Sequence, residues 1–230
     1  MRTTTRRSLT ALCLAGLVAG AGSAAAAPPK LGPNLVTNPG FEKEGVAVPG
    51  QPVLPANWTV EGVSVFEHRA NLFKEGARSV SLSGTLGGKQ ICDGSSGQQR
   101  CVANPAQPVT GALPLRAAWV TDAPIAVTAG KKYRFSSFII PVSLNPDDGV
   151  EGEGAATRVR WLGAGGAVLS TVEGPKLVKG PKRTLGWKLL STDVVAPAGA
   201  TGAELLLGYT DFTTTALQHG YDAVSFSLVK

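Results

Sequence analysis

The chain has few of the residues on which most catalytic sites depend. Its 230 residues include two histidines, His68 and His219, three cysteines and one methionine. The sequence contains no Gly-x-Ser-x-Gly motif and no zinc-type spacing of cysteine and histidine. Because nucleophilic and zinc-dependent enzymes carry such residues in recognisable arrangements, the sequence does not favour an enzyme.

Aromatic residues are also scarce, at 6%, whereas glycine (29 residues) and proline (16 residues) are abundant. No segment has a convincing helical period. About ten or eleven short segments instead alternate apolar and polar residues between turn signals, which is typical of β-strands. The sequence therefore predicts a single all-β domain in which two antiparallel sheets form a sandwich. Residues 35 and 36 are predicted as a short strand, residues 119–127 as one strand, and residues 84–114, rich in Gly, Ser, Gln and Pro, as a long loop.

The N-terminal segment has the pattern of a secretory signal peptide. Arg2, Arg6 and Arg7 precede an apolar run over residues 9–21 and then a row of small residues. That run is shorter than the roughly 20 residues that span a bilayer, so we expect a secreted protein without a membrane span. We assign residues 1–26 to the signal, 27–33 to a proline-rich lead-in and 34–230 to the domain. The paired arginines also fit a twin-arginine signal, and the export route stays open.

The mature chain is only mildly basic. The whole sequence has 22 lysines and arginines and 16 acids, and removal of three signal arginines leaves 19 against 16, a charge of +3. This charge comes without a nucleic-acid-binding motif, so we expect no nucleic-acid partner. We expect a monomer.

Two cysteines, Cys92 and Cys101, remain after the signal, which takes Cys13 with it. In an exported protein, cysteines this close in sequence predict a disulfide, which would stabilise the fold by about 2 to 3 kcal/mol. Two free thiols are the alternative.

Asp222 stands out in the last predicted strand, because alternation places it on the same face as Val224, Phe226 and Leu228. A carboxylate on an apolar face is costly unless it is paired or binds a metal. Glu42, which follows the Asn38-Pro39-Gly40 turn, is a second acid near the start of the domain. The alternative is that Asp222 pairs with a lysine or arginine and Glu42 is solvated.

An ordered set of segments resembles the β-jelly-roll carbohydrate-binding modules of families four, nine and twenty-two, within the galactose-binding-like sandwiches. The segments are NPGFE (38–42), EGARSVSL (75–82), VTAGKKYRFS (127–136), VRWLGAGG (159–166), GWKLL (186–190), APAGA (196–200) and YDAVSF (221–226). The resemblance implies a jelly roll that binds a polysaccharide or a cell-envelope glycan on a concave sheet.

The resemblance also implies a structural calcium ion that ties the first strand to the last. Its ligands would be oxygen atoms of five residues, as a hard cation requires. They are the carbonyls of Gly40, Glu75 and Arg78 and the carboxylates of Glu42 and Asp222.

The resemblance implies that Trp58 and Trp187 lie in the core, and Trp161 is expected there because it shares the parity of Val159. Trp119 is a candidate for contact with a ligand, because a bulge at Pro124 would switch the face of its strand. Tyr209 is a second candidate, because it lies at the end of its strand.

The opposite parity carries Arg134, Arg158 and Arg160, which would suit an anionic or uronic-acid polymer because arginine binds carboxylates in a bidentate manner. The alternative is a solvated, charged sheet face. The function predicted is therefore a non-catalytic glycan-binding module. The alternative is a secreted structural or surface protein with the same fold and no sugar site.

Overall fold

The computed structural model describes residues 28–47, 49, 53–62, 65–83, 89–93, 100–104, 117–143, 155–176, 186–209 and 217–230. The signal peptide predicted for residues 1–26 lies outside them. The described residues form thirteen β-strands and one 3-10 turn, Ala164–Gly166. No helix among them is long and apolar enough to cross a membrane.

The strands follow the short alternating segments of the sequence. They are β1 (Trp58–Gly62), β2 (Val65–Arg69), β3 (Ser79–Ser83), β4 (Lys89–Asp93), β5 (Arg100–Asn104), β6 (Ala117–Thr121), β7 (Ile125–Ala126), β8 (Lys132–Ser143), β9 (Ala155–Leu162), β10 (Val168–Lys176), β11 (Lys188–Val195), β12 (Gly202–Tyr209) and β13 (Leu217–Leu228).

Two sheets form the sandwich. The six-stranded sheet has the order β1-β6-β12-β9-β10, with β7 paired to β12, and the seven-stranded sheet has the order β11-β8-β13-β3-β2-β4-β5. The pairs are antiparallel except β2 and β4, which run parallel because β3 reverses the chain between them. The all-β, two-sheet jelly-roll prediction is confirmed.

The core between the sheets is built from aromatic rings. The rings of Tyr133 and Phe226 stack with centroids 5.0 Å apart, and Trp161 lies 6.2 Å from Phe226. The predicted core positions of Trp58 and Trp161 are confirmed, since they are 3% and 0% exposed.

Trp187 was also expected in the core, and this expectation is wrong. Tyr221 donates to the Gly208 carbonyl of the opposite sheet, so its neighbour Gly220 faces outward. The ring of Trp187 lies over Gly220 on that outer side, where a Cβ at Gly220 would lie 3.2 Å from its Cη2.

The start of the chain pairs with its end. The amide of Gly32 donates to the Leu228 carbonyl (2.8 Å), and the two residues 31 and 229 form an isolated bridge. Residues 35 and 36, predicted as a short strand, are not part of a regular ladder. Instead, the Asn34 side chain accepts from the Phe226 amide (3.0 Å) and donates to the Val224 carbonyl (3.0 Å).

Two strand predictions need correction. β4 and β5 were expected to be part of a long loop over residues 84–114, because their sequences do not alternate clearly. The segment 119–127 was expected as one strand, but it is divided into β6 and β7. Pro124 lies at this break, where a residue without an amide hydrogen cannot join a ladder.

Candidate functional site

The three predicted ligand-binding arginines lie on opposite faces of the sandwich. Arg158 and Arg160 project from the outer face of β9, in the six-stranded sheet. Arg134 projects from β8, in the seven-stranded sheet, and forms a bidentate ion pair with Asp193 on β11 (2.7 and 3.1 Å). The expectation that Arg134 shares a binding face with the other two is therefore wrong.

Trp119 is a core residue and not a ligand contact. Its ring is fully buried, it packs edge to face against Phe66 with centroids 5.7 Å apart, and its Nε1 donates to the Ser81 carbonyl (2.9 Å). The expected bulge at Pro124 comes after β6 and does not reverse the face of Trp119. Tyr209 ends β12 with its backbone opposite Ala117 and Ala155, and its side chain lies outside the description.

A cleft of about 350 Å³ lies on the outer face of the six-stranded sheet. Its lining includes both predicted arginines, Arg158 and Arg160, together with several residues that the sequence did not single out. Among the described residues, the lining is Glu61, Ala117, Ala118, Ala156, Arg158, Arg160, Thr171, Val172, Glu173, Leu206 and Gly208. The structure thus brings two of the predicted ligand residues together in one concave site.

Small residues form a flat row across the cleft. Ala118 on β6 lies opposite Gly208 on β12, which lies opposite Ala156 on β9. A side chain at Gly208 would overlap the Ala117 carbonyl, so the close approach of β6 requires glycine there. The row is therefore a shallow groove that crosses three strands between taller polar side chains.

Arg160 is held by two carboxylates. Its Nη2 donates to both oxygens of Glu61 (2.7 and 2.9 Å), and its Nη1 donates to Glu204 Oε2 (2.9 Å). Burial lowers the pKa of Arg160, but the hydrogen bonds and charges of Glu61 and Glu204 raise it overall. Arg160 therefore stays cationic with both terminal nitrogens already engaged.

The pair between Arg160 and Glu61 shows that this face is cupped. Glu61 lies on β1 and Arg160 on β9, with β6 and β12 between them. In a flat sheet these strands would be about 14 Å apart, and the register would add about 13 Å along the strands, which is farther than the two side chains reach. Curvature and twist of the sheet therefore bring its two sides together over the cleft.

The described lining of the cleft is balanced in charge. It contains two arginines and two glutamates, and Arg158 lies opposite Glu173 in the β9–β10 register. The pKa of Glu173 is lowered mainly by its hydrogen bond with Lys176, with a smaller contribution from Arg158. Strand parity could have identified Glu61 and Glu204 as outward residues, but pairing across the sheet could not be predicted from sequence.

A second feature of interest is the pair Glu42 and Asp222, whose carboxylates both face Gly40. A Cβ at Gly40 would lie 3.8 Å from Glu42 Oε1 and 3.8 Å from Asp222 Oδ1. Asp222 is fully buried, although Glu42 is exposed. The two ends of the domain therefore meet at two acids, as the sequence suggested.

Backbone amides of the segment 74–78, which links β2 to β3, bind both carboxylates. Asp222 Oδ2 accepts from the amides of Lys74 (2.7 Å) and Glu75 (2.9 Å), while Glu42 Oε1 accepts from Ala77 (2.9 Å) and Arg78 (3.0 Å). Neither carboxylate forms a salt bridge within the described part of the chain. The alternative in which Asp222 pairs with a lysine or arginine is thus not observed there.

Asp222 does not share a face with Val224, contrary to the prediction from alternation. The β13–β8 register shifts between Asp222 and Ser225, and Ala223 has a φ of 46°. This bulge lets Tyr221 and Val224 both pack in the core. Asp222 consequently lies on the other side of β13 from Tyr221, beneath the 74–78 segment.

The acidity of Asp222 reflects this burial. Desolvation raises its pKa above 3.8, the amides of Glu75, Lys74 and Ala223 oppose the shift, and the charge of Glu42 adds to it. A raised folded-state pKa means that the group favours folding fully below pH 3.8. That contribution is lost as the pH rises through the folded-state pKa, unless a cation compensates the ionised form.

Only two of the five predicted metal ligands, Glu42 and Asp222, would bind the ion through their side chains. No group of three or more His, Cys, Asp or Glu residues suited to a metal occurs among the described residues. A cation at Glu42 and Asp222 would therefore need carbonyl oxygens, as predicted for Gly40, Glu75 and Arg78. Two adjacent carboxylates without a lysine or arginine partner fit a hard cation chemically.

The predicted disulfide residues are neighbours in the sheet. Cys92 on β4 and Cys101 on β5 are Cα partners in an antiparallel pair. Their side chains lie outside the description, and the disulfide stays a prediction.

Comparisons with known proteins support the fold. No protein-family model and no curated protein matches the chain. The structure is similar to the enzymatically active domain of tailspike protein 4 from bacteriophage CBA120, with a TM-score of 0.52 and 14% identity. The match covers 85% of this chain but only 21% of the tailspike chain, so this chain spans about a fifth of that protein.

Weaker similarity extends to carbohydrate-binding modules. The xylan-binding domain CBM22-1 of Paenibacillus barcinonensis Xyn10C aligns with a TM-score of 0.49 and 14% identity, over 90% of this chain and 99% of the domain. A family 61 module solved with β-1,4-galactotriose aligns with a TM-score of 0.41 and 16% identity, over 85% of this chain and 98% of the module. At 14% identity, the similarity to the tailspike domain supports the fold alone.

Proposed function

We propose that the protein is a secreted, non-catalytic module that binds a polysaccharide chain in the cleft of the six-stranded sheet. The observation that carries this proposal is the groove over Ala118, Gly208 and Ala156. A sugar ring has apolar C–H faces and a rim of hydroxyls. A floor of small residues between arginine and glutamate side chains suits both parts of such a ligand.

A structural or surface protein without a sugar site is the second candidate. One observation favours it: the described lining of the cleft contains no Trp, Tyr or Phe. Aromatic rings supply much of the contact area in many ligand sites, so a cleft without them would bind a glycan mainly through hydrogen bonds.

Filling the groove distinguishes the two candidates. Ala156→Phe should lower retention on a binding polysaccharide by about tenfold or more, because the ring would occupy the floor. The measurement is retention on insoluble cellulose, xylan, galactan and polygalacturonate, after thermal melting has shown that the variant folds. Ala126→Phe, at an exposed alanine of β7 in the same sheet, is the matched control. Lack of retention of the natural sequence on every polymer and on cell-wall material would favour the structural candidate.

We further propose that Glu42 and Asp222 hold a structural calcium ion, with carbonyls of Gly40, Glu75 and Arg78 as the other ligands. Calcium prefers carboxylate and carbonyl oxygens, and it would neutralise the buried charge of Asp222. The site would fasten the 74–78 segment to both ends of the domain.

Calcium removal should lower the melting temperature at neutral pH by about 5 to 10 °C, if the ion is present at about 100 times its dissociation constant. The effect should shrink as the pH is lowered through the raised pKa of Asp222, because the protonated carboxyl does not bind a cation and its burial no longer costs stability. Differential scanning calorimetry with calcium and with a chelator measures both effects. An unchanged melting temperature after thorough chelation at pH 7 would refute the site, and Asp193→Asn serves as a surface control.

A further inference from the structure

The ion pair across the cleft covers an apolar patch that faces away from the core. Ala118, Val120 and Leu206 form a small cluster, separate from the main core, and are 7%, 4% and 6% exposed. Val120 and Leu206 are Cα partners on β6 and β12, the two strands between Glu61 and Arg160. The side chains of Glu61 and Arg160 thus meet over the Val120 and Leu206 part of this patch, beside the row formed by Ala118, Gly208 and Ala156.

The position of Glu61 makes it the accessible member of the network. Its side chain is 54% exposed, whereas those of Arg160 and Glu204 are each 21% exposed. Glu61 also lies on β1, an edge strand, while Arg160 and Glu204 lie on adjacent inner strands. A ligand that enters the cleft therefore meets the Glu61 carboxylate together with an arginine whose two terminal nitrogens are both hydrogen-bonded already.

Charge matching determines which ligands such a network admits. A free arginine would take a ligand carboxylate through two parallel hydrogen bonds. Here a uronic acid would have to displace Glu61 from Arg160 while Glu204, which is bound to the same guanidinium, adds repulsion. A hydroxyl group has no such cost, because it can donate its one hydrogen to Glu61 or Glu204 without displacing either from Arg160.

We propose that Glu61 is a specificity-determining residue that occupies Arg160 and so excludes acidic polysaccharides from the cleft. This inference rests on the proposed glycan-binding function and differs from the sequence-based expectation of an anionic ligand. Removal of the Glu61 charge would leave Nη2 of Arg160 with at most a neutral acceptor, which a ligand carboxylate would displace because charge-assisted hydrogen bonds are stronger. The single substitution would thereby change the class of polymer that the cleft accepts.

Glu61→Gln tests the inference, with Glu44→Gln as its matched control. Glu44 is 47% exposed at its side chain, pairs with Arg78 at 2.6 Å and lies outside the cleft, so both variants lose one acid from an arginine pair. Affinity electrophoresis in polygalacturonate, at low salt, should show about a tenfold gain in affinity for Glu61→Gln over the natural sequence. Glu44→Gln should show no comparable gain.

The panel of neutral polymers separates this inference from the proposed function. Retention of the natural sequence on a neutral polymer and not on polygalacturonate, together with the gain in Glu61→Gln, supports the inference. Equal binding of the natural sequence to both polymers, or equal affinity of Glu61→Gln and Glu44→Gln for polygalacturonate, overturns it while the glycan-binding proposal stands. Absence of binding by every variant to every polymer overturns both.

Discussion

Asp222→Ala is expected to destabilise the domain by about 3 kcal/mol or more. The substitution removes the acceptor of three amides, those of Lys74, Glu75 and Ala223, at 2.7, 2.9 and 2.6 Å. The three hydrogen bonds are part-buried, and a fully buried donor without an acceptor costs about 1 to 3 kcal/mol, so the combined loss is about 3 kcal/mol. A typical domain is stable by only about 5 to 15 kcal/mol, so the variant should lose a large part of its stability. Urea denaturation followed by tryptophan fluorescence measures the difference.

The matched control is Asp193→Ala, which removes an aspartate from the outer face of the same sheet. Asp193 is partly exposed and bound to Arg134, and its loss should have a small effect because exposed ion pairs contribute little. If Asp222→Ala were no less stable than Asp193→Ala, Asp222 would not join the 74–78 segment to β13 as described. The difference between the two variants therefore measures the contribution of this junction.

The junction between the 74–78 segment and the two carboxylates also requires a glycine at position 76. Gly76 has a φ of 66°, and a Cβ there would overlap the Glu42 carboxylate. The sequence shows that glycine stands in EGARS, but it does not show that a carboxylate from 34 residues earlier fills the space. Such requirements arise from tertiary contacts and cannot be derived from local propensity.

Alternation predicted the direction of side chains better than it predicted their neighbours. It correctly placed Val159 and Trp161 inward and Arg158 and Arg160 outward, because a regular strand alternates faces strictly. It could not assign Arg134 to a sheet, since parity carries no information about topology. It also failed at Asp222, where one bulge changes the register.

β4 and β5 show another limit of sequence reasoning. Their residues include few β-branched or aromatic side chains, so the segment around the cysteines resembled a loop. In the structure β4 gains its partner from β2, whose sequence is more than twenty residues earlier. Pairing with an existing sheet edge can therefore create a strand that propensity alone does not indicate.

Arg160→Ala is expected to lower affinity for a bound polysaccharide by about tenfold or more. Arg160 fixes Glu61 and Glu204 at hydrogen-bonding distance across the cleft. Without it, two carboxylates would lie in the cleft without their cation, and the polar wall would lose its shape. Loss of one charge-assisted hydrogen bond between the ligand and the glutamates that Arg160 positions accounts for a change of this size, since 1.4 kcal/mol corresponds to a tenfold change in affinity.

Isothermal titration calorimetry tests the assignment of the binding site to the cleft most directly. It compares the dissociation constants of the natural sequence, Arg160→Ala and Arg134→Ala for one polysaccharide that retains the natural sequence. Arg134 is the matched control, because it forms an arginine–carboxylate pair on the opposite face of the sandwich. We predict that Arg160→Ala weakens binding about tenfold or more and that Arg134→Ala leaves it unchanged. Equal loss in both variants, or loss only in Arg134→Ala, would contradict the assignment of the site to the six-stranded sheet.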